Sequence, residues 1–340
     1  MATPNTRRVL RKESAGVVQF QEEPIPEYGT SDVLIRVRAV SLNWKDAAIV
    51  DGRTSWAALP NGIVGTEFAG EVVQVGGSVR FFKTGDRVMS LINYDDITGN
   101  ETTIQALGHN IDGTLAEYLV VPEIVLVKIP EYLTWAEAST IPCAGLTAWS
   151  ALNFTSRLAG KTVLLEGTGG VSLLALLLAV KAGAKVIITS SSDEKLQRAK
   201  ELGATHTINY VKVPDWDQEV LKLTGGLGAH IVVEAGGAAT FLKSVASVKR
   251  GGQVSQVGLM TTNSNGNFVD LIPMLIMKAV RIVGIRVGLK ADLEDFAAFL
   301  EATQLPLSPC IDKVYKFDQS KEALDYLRSS SLFGKVIIEF

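Results

Sequence analysis

The sequence predicts an α/β protein of two domains, one β-rich and one a doubly wound parallel sheet. Three observations carry this. Thr162–Tyr210 strings together a short apolar strand, a glycine turn, a helical run and a second apolar strand. Short apolar strands and helices continue to alternate beyond it, as in a doubly wound sheet. Before it, strand-like runs are separated by Gly, Pro and Asp turn signals.

In chain order, residues 1–125 form the β-rich part. Val33–Val40 alternates apolar and polar, as a half-buried strand does. Phe68–Val75 is a strand closed by Gly76-Gly77, and Arg87–Ile92 is another, opened by the Gly85-Asp86 turn. Asn93–Asp112 is polar and reads as a long loop that covers a site. Leu115–Val121 is a further strand, closed by Pro122.

Residues 126–286 read as the parallel-sheet domain. Pro130–Ala138 leads into a helix, and Ile141–Leu152 is a second, with small residues near its start. Strands follow at Val163–Leu165, Lys185–Thr189, His206–Tyr210, Ile231–Val233, Gln253–Leu259 and Arg281–Ile285. The strand ends Glu234–Gly237, Val257–Leu259 and Ile285–Val287 are expected to line a crevice. In residues 287–340, Leu293–Ala302 and Lys321–Arg328 are helices, and Lys335–Phe340 is a strand expected to return to the first domain. The parallel-sheet domain is then an insertion.

The glycine turn has a chemical reading. Gly167 allows a tight turn out of the strand, and Gly169 lets a pyrophosphate approach the backbone. The helix beginning near Gly170 and Val171 turns its free N–H groups and positive dipole end toward that phosphate. Ser172 stands where a third glycine is usual and is small enough for close packing. Thr168 completes the turn. The context of strand, turn, helix and strand makes this a dinucleotide site rather than a bare βα turn.

An acidic residue at the end of the second strand would bond a ribose 2′-OH. Here that end is Ser190-Ser191-Ser192, and Lys195 follows one turn later. The pattern favours NADP(H), with Lys195 pairing the 2′-phosphate. Asp193 turned inward would instead serve NAD(H). Ser191 also reads as a helix N-cap with Glu194 as its capping-box partner.

Composition narrows the class. With 340 residues, 47% hydrophobic, the chain is long enough for two ordinary domains. A net charge of −3 gives no footprint for nucleic acid. Arg7, Arg8, Arg11 and Lys12 are followed by no apolar segment, so no secretory signal is expected. The apolar run Val171–Val180 is too short to cross a membrane. Two cysteines, Cys143 and Cys310, imply no disulfide framework and a cytoplasmic setting.

Several separated stretches then agree with one family. They are Ser41-Leu-Asn-Trp-Lys-Asp46, Gly65-Thr-Glu-Phe-Ala-Gly-Glu-Val72, Gly85-Asp-Arg-Val88, Gly113-Thr-Leu-Ala-Glu-Tyr118, Pro142-Cys-Ala-Gly-Leu-Thr-Ala148, Gly167-Thr-Gly-Gly-Val171 and Gly334-Lys-Val336. In this order they closely resemble the medium-chain dehydrogenase/reductase superfamily, over nearly the whole chain. The resemblance implies a GroES-like first domain, a Rossmann second domain and a homodimer joined through the sheet edge near Arg281–Ile285.

The zinc alcohol dehydrogenases of that superfamily ligate the metal with Cys, His and Cys. By resemblance the corresponding positions here are Asn43, Thr66 and Cys143, and a four-cysteine lobe is absent. One soft ligand does not hold a catalytic zinc, so none is expected. His109, His206 and His230 have no ligand spacing among them. Without a Lewis acid, hydride addition to a conjugated double bond or quinone is easier than oxidation of a simple alcohol.

Asn43-Trp44-Lys45-Asp46 resembles the zinc-lacking quinone oxidoreductases and enone reductases. The resemblance implies Asn43 beside the nicotinamide and Lys45 near the substrate oxygen. Lys45 also reads as a salt-bridge partner of Asp46 or a solvated head, and Asp46 as a loop fixer. The tyrosine proton donor of enoyl thioester reductases has no counterpart in Ile49–Trp56. Trp44, Trp56 and Tyr94 read either as a flat apolar substrate pocket or as core aromatics. By resemblance, Thr147, Gly258 and Val287 lie near the nicotinamide and Tyr210 near the 2′-phosphate. The expected function is NADPH-dependent reduction of a quinone or α,β-unsaturated carbonyl without zinc. The alternatives are a zinc-independent alcohol dehydrogenase or carbonyl reductase, and a nucleotide-binding protein without turnover.

Overall fold

In a computed structural model the described residues are 4–54, 58–154, 158–258, 268–329 and 331–340. The elements in chain order are β1 (Thr6–Ser14), β2 (Val17–Pro24), β3 (Asp32–Leu42), α1 (Trp44–Val50), β4 (Phe68–Val75), β5 (Arg87–Ser90), β6 (Tyr118–Pro122), β7 (Leu126–Lys128) and α2 (Trp135–Ala138). Then come α3 (Leu146–Ala151), β8 (Thr162–Leu165), α4 (Gly170–Lys181), β9 (Lys185–Ser190), α5 (Asp193–Glu201), β10 (His206–Asn209) and α6 (Trp216–Leu223). They are followed by β11 (Ala229–Glu234), α7 (Phe241–Ser247), β12 (Val248–Gln256), α8 (Phe268–Lys278) and β13 (Arg281–Gly284). The chain closes with α9 (Lys290–Thr303), β14 (Ile311–Lys316), α10 (Ser320–Arg328) and β15 (Lys335–Glu339).

Two compact units result: one runs up to Leu146 and resumes at Gly288, and the other is Thr147–Val287. The expected break after residue 125 is therefore corrected to Leu146. Residues 126–146 stay with the first unit because β7 pairs antiparallel with β5 and Ala136 of α2 packs on Ala39 of β3.

In the first unit the sheet order is β14-β15-β3-β4-β5-β7, and β6 also pairs with β3. β3 is its centre. Its partners lie on both sides, so it is more buried than its alternating sequence suggests. β15 does return to this unit, pairing Val336 with Leu42 of β3. The β1–β2 hairpin and β14 have no counterpart among the expected strands. Both carry charge along their length (Arg7, Arg8, Arg11 and Lys12 in β1), which hides the strand signal.

The second unit is a parallel sheet in the order β10-β9-β8-β11-β12-β13. Strand order reverses between β8 and β11, where such sheets bind ligands beyond their carboxyl ends. One core joins Leu164, Ile187, Val232 and Val254 of the sheet to Trp216, Val220 and Val245 of the helices. α4 is buried without interruption from Ser172 to Ala179, so it shows no polar stripe. Gly183, left-handed at φ +78°, turns the chain out of α4.

Three expected elements move. Ile141–Leu152 is not one helix: a π-helical turn, Ile141–Gly145, precedes α3. Gly145 packs so tightly there that a Cβ would lie 2.8 Å from Phe296 Cε1. β12 ends at Gln256, and the expected continuation to Leu259 reaches residues outside those described. The N-cap of α5 is Ser192, whose Oγ accepts from Lys195 N at 3.3 Å, rather than Ser191. The edge strand β13 is exposed along its whole length.

Candidate functional site

The first unit gathers a buried polar cluster at the end of β3. Leu42 closes the strand and Asn43 caps α1, its N–H donating to Asp46 Oδ2 at 2.7 Å. Asn43 Nδ2 donates to Thr66 Oγ1 at 3.1 Å and to Glu67 Oε1 at 2.9 Å. Glu67 is wholly buried and also accepts Cys143 N–H on Oε2 at 2.7 Å. From β15, Lys335 Nζ donates to Leu42 O and Asn43 Oδ1, each at 2.6 Å, and to Glu67 Oε1 at 3.0 Å. The pair Lys335–Glu67 is 3% and 0% exposed, so it is a true interior ion pair.

Burial sets the titration of the neighbours. It pushes the Asp46 carboxyl up to about 6, against the opposing pull of the Asn43 N–H and the charges of Lys45 and Lys335. It pushes the Cys143 thiol up to about 12, helped by the charge of Glu67. Asp46 thus fixes the loop, as its sequence position suggests. Lys45 is half-buried and makes no ion pair or hydrogen bond among the described residues; the expected salt bridge to Asp46 does not form because Asp46 turns to the Asn43 N–H.

Two of the expected pocket aromatics, Trp44 and Tyr94, lie among the described residues. Trp44 is 39% exposed, with the Arg53 guanidinium 5.8 Å from its ring centroid. Tyr94 lies in the loop that follows β5, and burial raises its phenol. No ring contact joins the two among the described residues, and Trp56 lies outside those residues.

The second unit forms the glycine turn as its spacing implies. Gly167 takes φ +74° and donates its N–H to Thr189 Oγ1 at 3.2 Å. Gly169 is the N-cap of α4. At both glycines the space a Cβ would fill is open, which leaves the backbone approachable by a phosphate. Thr168 Oγ1 meets Ser190 Oγ at 3.3 Å, linking the turn to the end of β9. Ser172 Oγ donates to Glu166 O at 2.7 Å, so the serine ties helix to strand where a glycine would only allow contact.

Ser190 is buried, and Tyr210 N–H donates to its carbonyl at 3.1 Å, with the Tyr210 side chain 42% exposed. Asp193 faces outward: Asn209 Nδ2 donates to it at 2.7 Å and Lys212 Nζ pairs with it. Gly258 N–H donates to Glu234 O at 3.0 Å. Thr147 is buried at the start of this unit, and Val287 ends it at φ +95°, a strained value for a β-branched residue.

Known proteins share this sequence pattern. Residues 29–131 match the family model described as alcohol dehydrogenase GroES-like domain, and residues 170–302 that described as zinc-binding dehydrogenase. The chain is 39% identical to a zinc-type alcohol dehydrogenase-like protein, C1773.06c, of Schizosaccharomyces pombe, covering 98% of this chain and 99% of that one. It belongs to the medium-chain dehydrogenase/reductase superfamily. An alcohol dehydrogenase of Geobacillus stearothermophilus is 30% identical to this superfamily member over 95% of this chain and 96% of the relative. The crystal structure of a putative alcohol dehydrogenase from Sinorhizobium meliloti 1021 superposes with a TM-score of 0.90 at 38% identity, covering 100% of both chains. As a medium-chain dehydrogenase/reductase, the protein is an NAD(P)-dependent oxidoreductase with a GroES-like domain and a Rossmann-like sheet.

Among the buried charged residues of this dehydrogenase/reductase, Glu67, Lys335 and Glu166 escaped the reading of site residues, and Glu234 entered it only as a strand end expected to line the crevice. A signal existed for Lys335, which opens the apolar run Val336-Ile-Ile338, and for Glu166, which ends Val163-Leu-Leu165. A charge adjoining a fully apolar strand is either at the surface or paired inside.

Proposed function

We propose that this oxidoreductase uses NADPH to reduce a quinone or an α,β-unsaturated carbonyl, and does so without a catalytic zinc. The observation that carries the reading is the Asn43–Lys335–Glu67 cluster. A catalytic zinc needs three good donors and an open position. The corresponding side chains here are an amide, a hydroxyl and a single thiol, Asn43, Thr66 and Cys143. The Asn43 amide oxygen already accepts from Lys335, and its Nδ2 already donates to Thr66 and Glu67. These residues do not fit zinc, and no step is routed through a metal.

The reaction then suits an acceptor that spreads its own charge. NADPH, which the Gly167–Gly170 turn would hold, would supply a hydride to the β-carbon, and the electron pair of the double bond would move onto the carbonyl oxygen as an enolate. A proton from solvent or Lys45 completes the reduction. Lys45 is half-buried without an ion pair among the described residues, so its charge is available to that oxygen.

A second reading is a zinc-independent alcohol dehydrogenase or carbonyl reductase, and the names of the relatives support its alcohol dehydrogenase part alone. One assay separates the two. Chelator-treated protein is expected to oxidise NADPH with quinones or enones and not with simple ketones. Turnover with ketones or aldehydes that survives chelation supports the second reading, and turnover that chelation abolishes sinks the metal-free site.

The preference for NADPH rests on the end of β9. Asp193, the carboxylate nearest that end in sequence, is held by Asn209 and Lys212, and the positive charge that would meet a 2′-phosphate comes from Lys195, beside Ser190 and Ser191. Lys195→Ala is expected to raise the KM for NADPH roughly tenfold, the loss of one charged hydrogen bond, and to spare that for NADH. Equal changes with both cofactors would refute the assignment.

A further inference from the structure

Two carboxyl groups that hydride transfer does not use lie side by side beneath the phosphate turn. Glu166 follows β8 and Glu234 closes β11, and these strands are neighbours, with Leu165 paired to Val233. Both side chains are buried. Their surroundings differ. Glu234 receives the Gly236 N–H at 3.1 Å, the Gly237 N–H at 2.9 and 3.0 Å, the Thr240 hydroxyl and the Gln256 amide. Glu166 Oε1 receives the Ser244 hydroxyl, but Oε2 is buried with no hydrogen-bond donor among the described residues. An acceptor-only oxygen does not persist in that state beside a second carboxyl group, unless it carries a proton itself.

We propose that Glu166 and Glu234 share one proton, carried on Glu166 and donated to Glu234, and that this proton holds the phosphate turn in its binding form. The inference rests on the dinucleotide reading of that turn. Burial, and the charge of Glu234, push the Glu166 carboxyl well above the usual carboxylate range. The other groups facing the pair are neutral: Ser244 of α7 and the Gly236 amide at Glu166, and Thr240 and Gln256 at Glu234. Lys243, also on α7, reaches away to Pro214 O and Asp215.

Losing the proton breaks the Glu166 O–H bond, passes the proton to solvent base and leaves two carboxylates in contact. They repel across the ends of β8 and β11, where the turns through Gly167 and Gly237 begin. The added charge also opposes an incoming pyrophosphate. The sign follows from linkage. The native pKa is raised, so the stabilisation is complete below the ordinary carboxylate range and is lost as pH rises through the native value.

Glu166→Gln tests this, because its amide donates to Glu234 at every pH. Melting temperature and NADPH affinity, by fluorescence titration, are measured from acid to alkaline pH. In the unaltered protein both are expected to fall on the alkaline side, with the Kd rising by up to about tenfold per pH unit, the limit for one linked proton. E166Q is expected to be flat over the same range. Parallel melting profiles for the two proteins overturn the shared proton. A melting difference without any difference in the NADPH profiles overturns its role in the turn. Failure of either protein to bind NADPH at any pH tells instead against the dinucleotide reading, and the melting profiles still decide the proton. Should E166Q not fold, infrared titration of the unaltered protein decides it: a buried carboxylic-acid carbonyl band that persists at neutral pH supports the pair, and its absence overturns it.

Discussion

Lys335→Met is expected to destabilise the protein by about 3–5 kcal/mol, the usual cost of removing one partner of a buried ion pair. The lysine stem is replaced at similar volume, so the loss is electrostatic rather than a cavity. Glu67, at 0% exposure, is left with no cation against it. Leu42 O and Asn43 Oδ1 lose the donor that served them. Urea unfolding measures the loss, and a change under about 1 kcal/mol would refute the interior ion pair. Adding Glu67→Gln to K335M removes the stranded charge while keeping an acceptor oxygen for Asn43 Nδ2 or Cys143 N. The double variant is therefore expected to be more stable than K335M alone, although it carries one more substitution. NADPH binding is expected to survive in both, because the glycine turn belongs to the other unit. Turnover is expected to fall, since Asn43 is no longer held in one orientation.

That cluster marks where the sequence could be read and where it could not. Gly167, Gly169 and Ser172 were legible because turn, helix and strand are contiguous, and local spacing carries the chemistry. The same holds for the parallel order of β8 to β13, whose inner strands β8, β9 and β11 are buried and stand out as apolar runs. Asn43, Thr66 and Cys143 could be named as positions, but not what surrounds them. Their links run through Glu67 and through Lys335, 268 residues beyond Glu67. Pairing at that separation has no local signature. The break at Leu146 was hidden for a similar reason. β7 is three residues long and, among the described residues, joins the first sheet only through β5. The helix cap at Ser192 was misplaced by one residue because three consecutive serines offer equivalent hydroxyls.

Gly258→Ala is expected to abolish dinucleotide binding and to cost about 3 kcal/mol of stability, the upper range for overpacking. The added Cβ would lie 1.9 Å from Ala235 O and 2.2 Å from Ala235 C. Both are backbone atoms, so no rotamer change relieves the clash, and one chain must move. The two chains are already tied, Val257 and Gly258 donating to Glu234 O at 2.9 and 3.0 Å. The Gln256 amide adds bonds to Glu234 and to Gly258 O. Displacing Gly258 therefore pulls on Glu234, whose carboxylate organises the Gly236–Gly237 turn and faces Glu166. A substitution outside the phosphate turn thus reaches it through two strand ends. Fluorescence titration with NADPH and thermal melting measure the two effects. Unchanged affinity in a destabilised G258A would mean that the strand ends of β11 and β12 do not govern the turn after β8. Unchanged stability would mean that the close approach of Gly258 to Ala235 is not a packed contact.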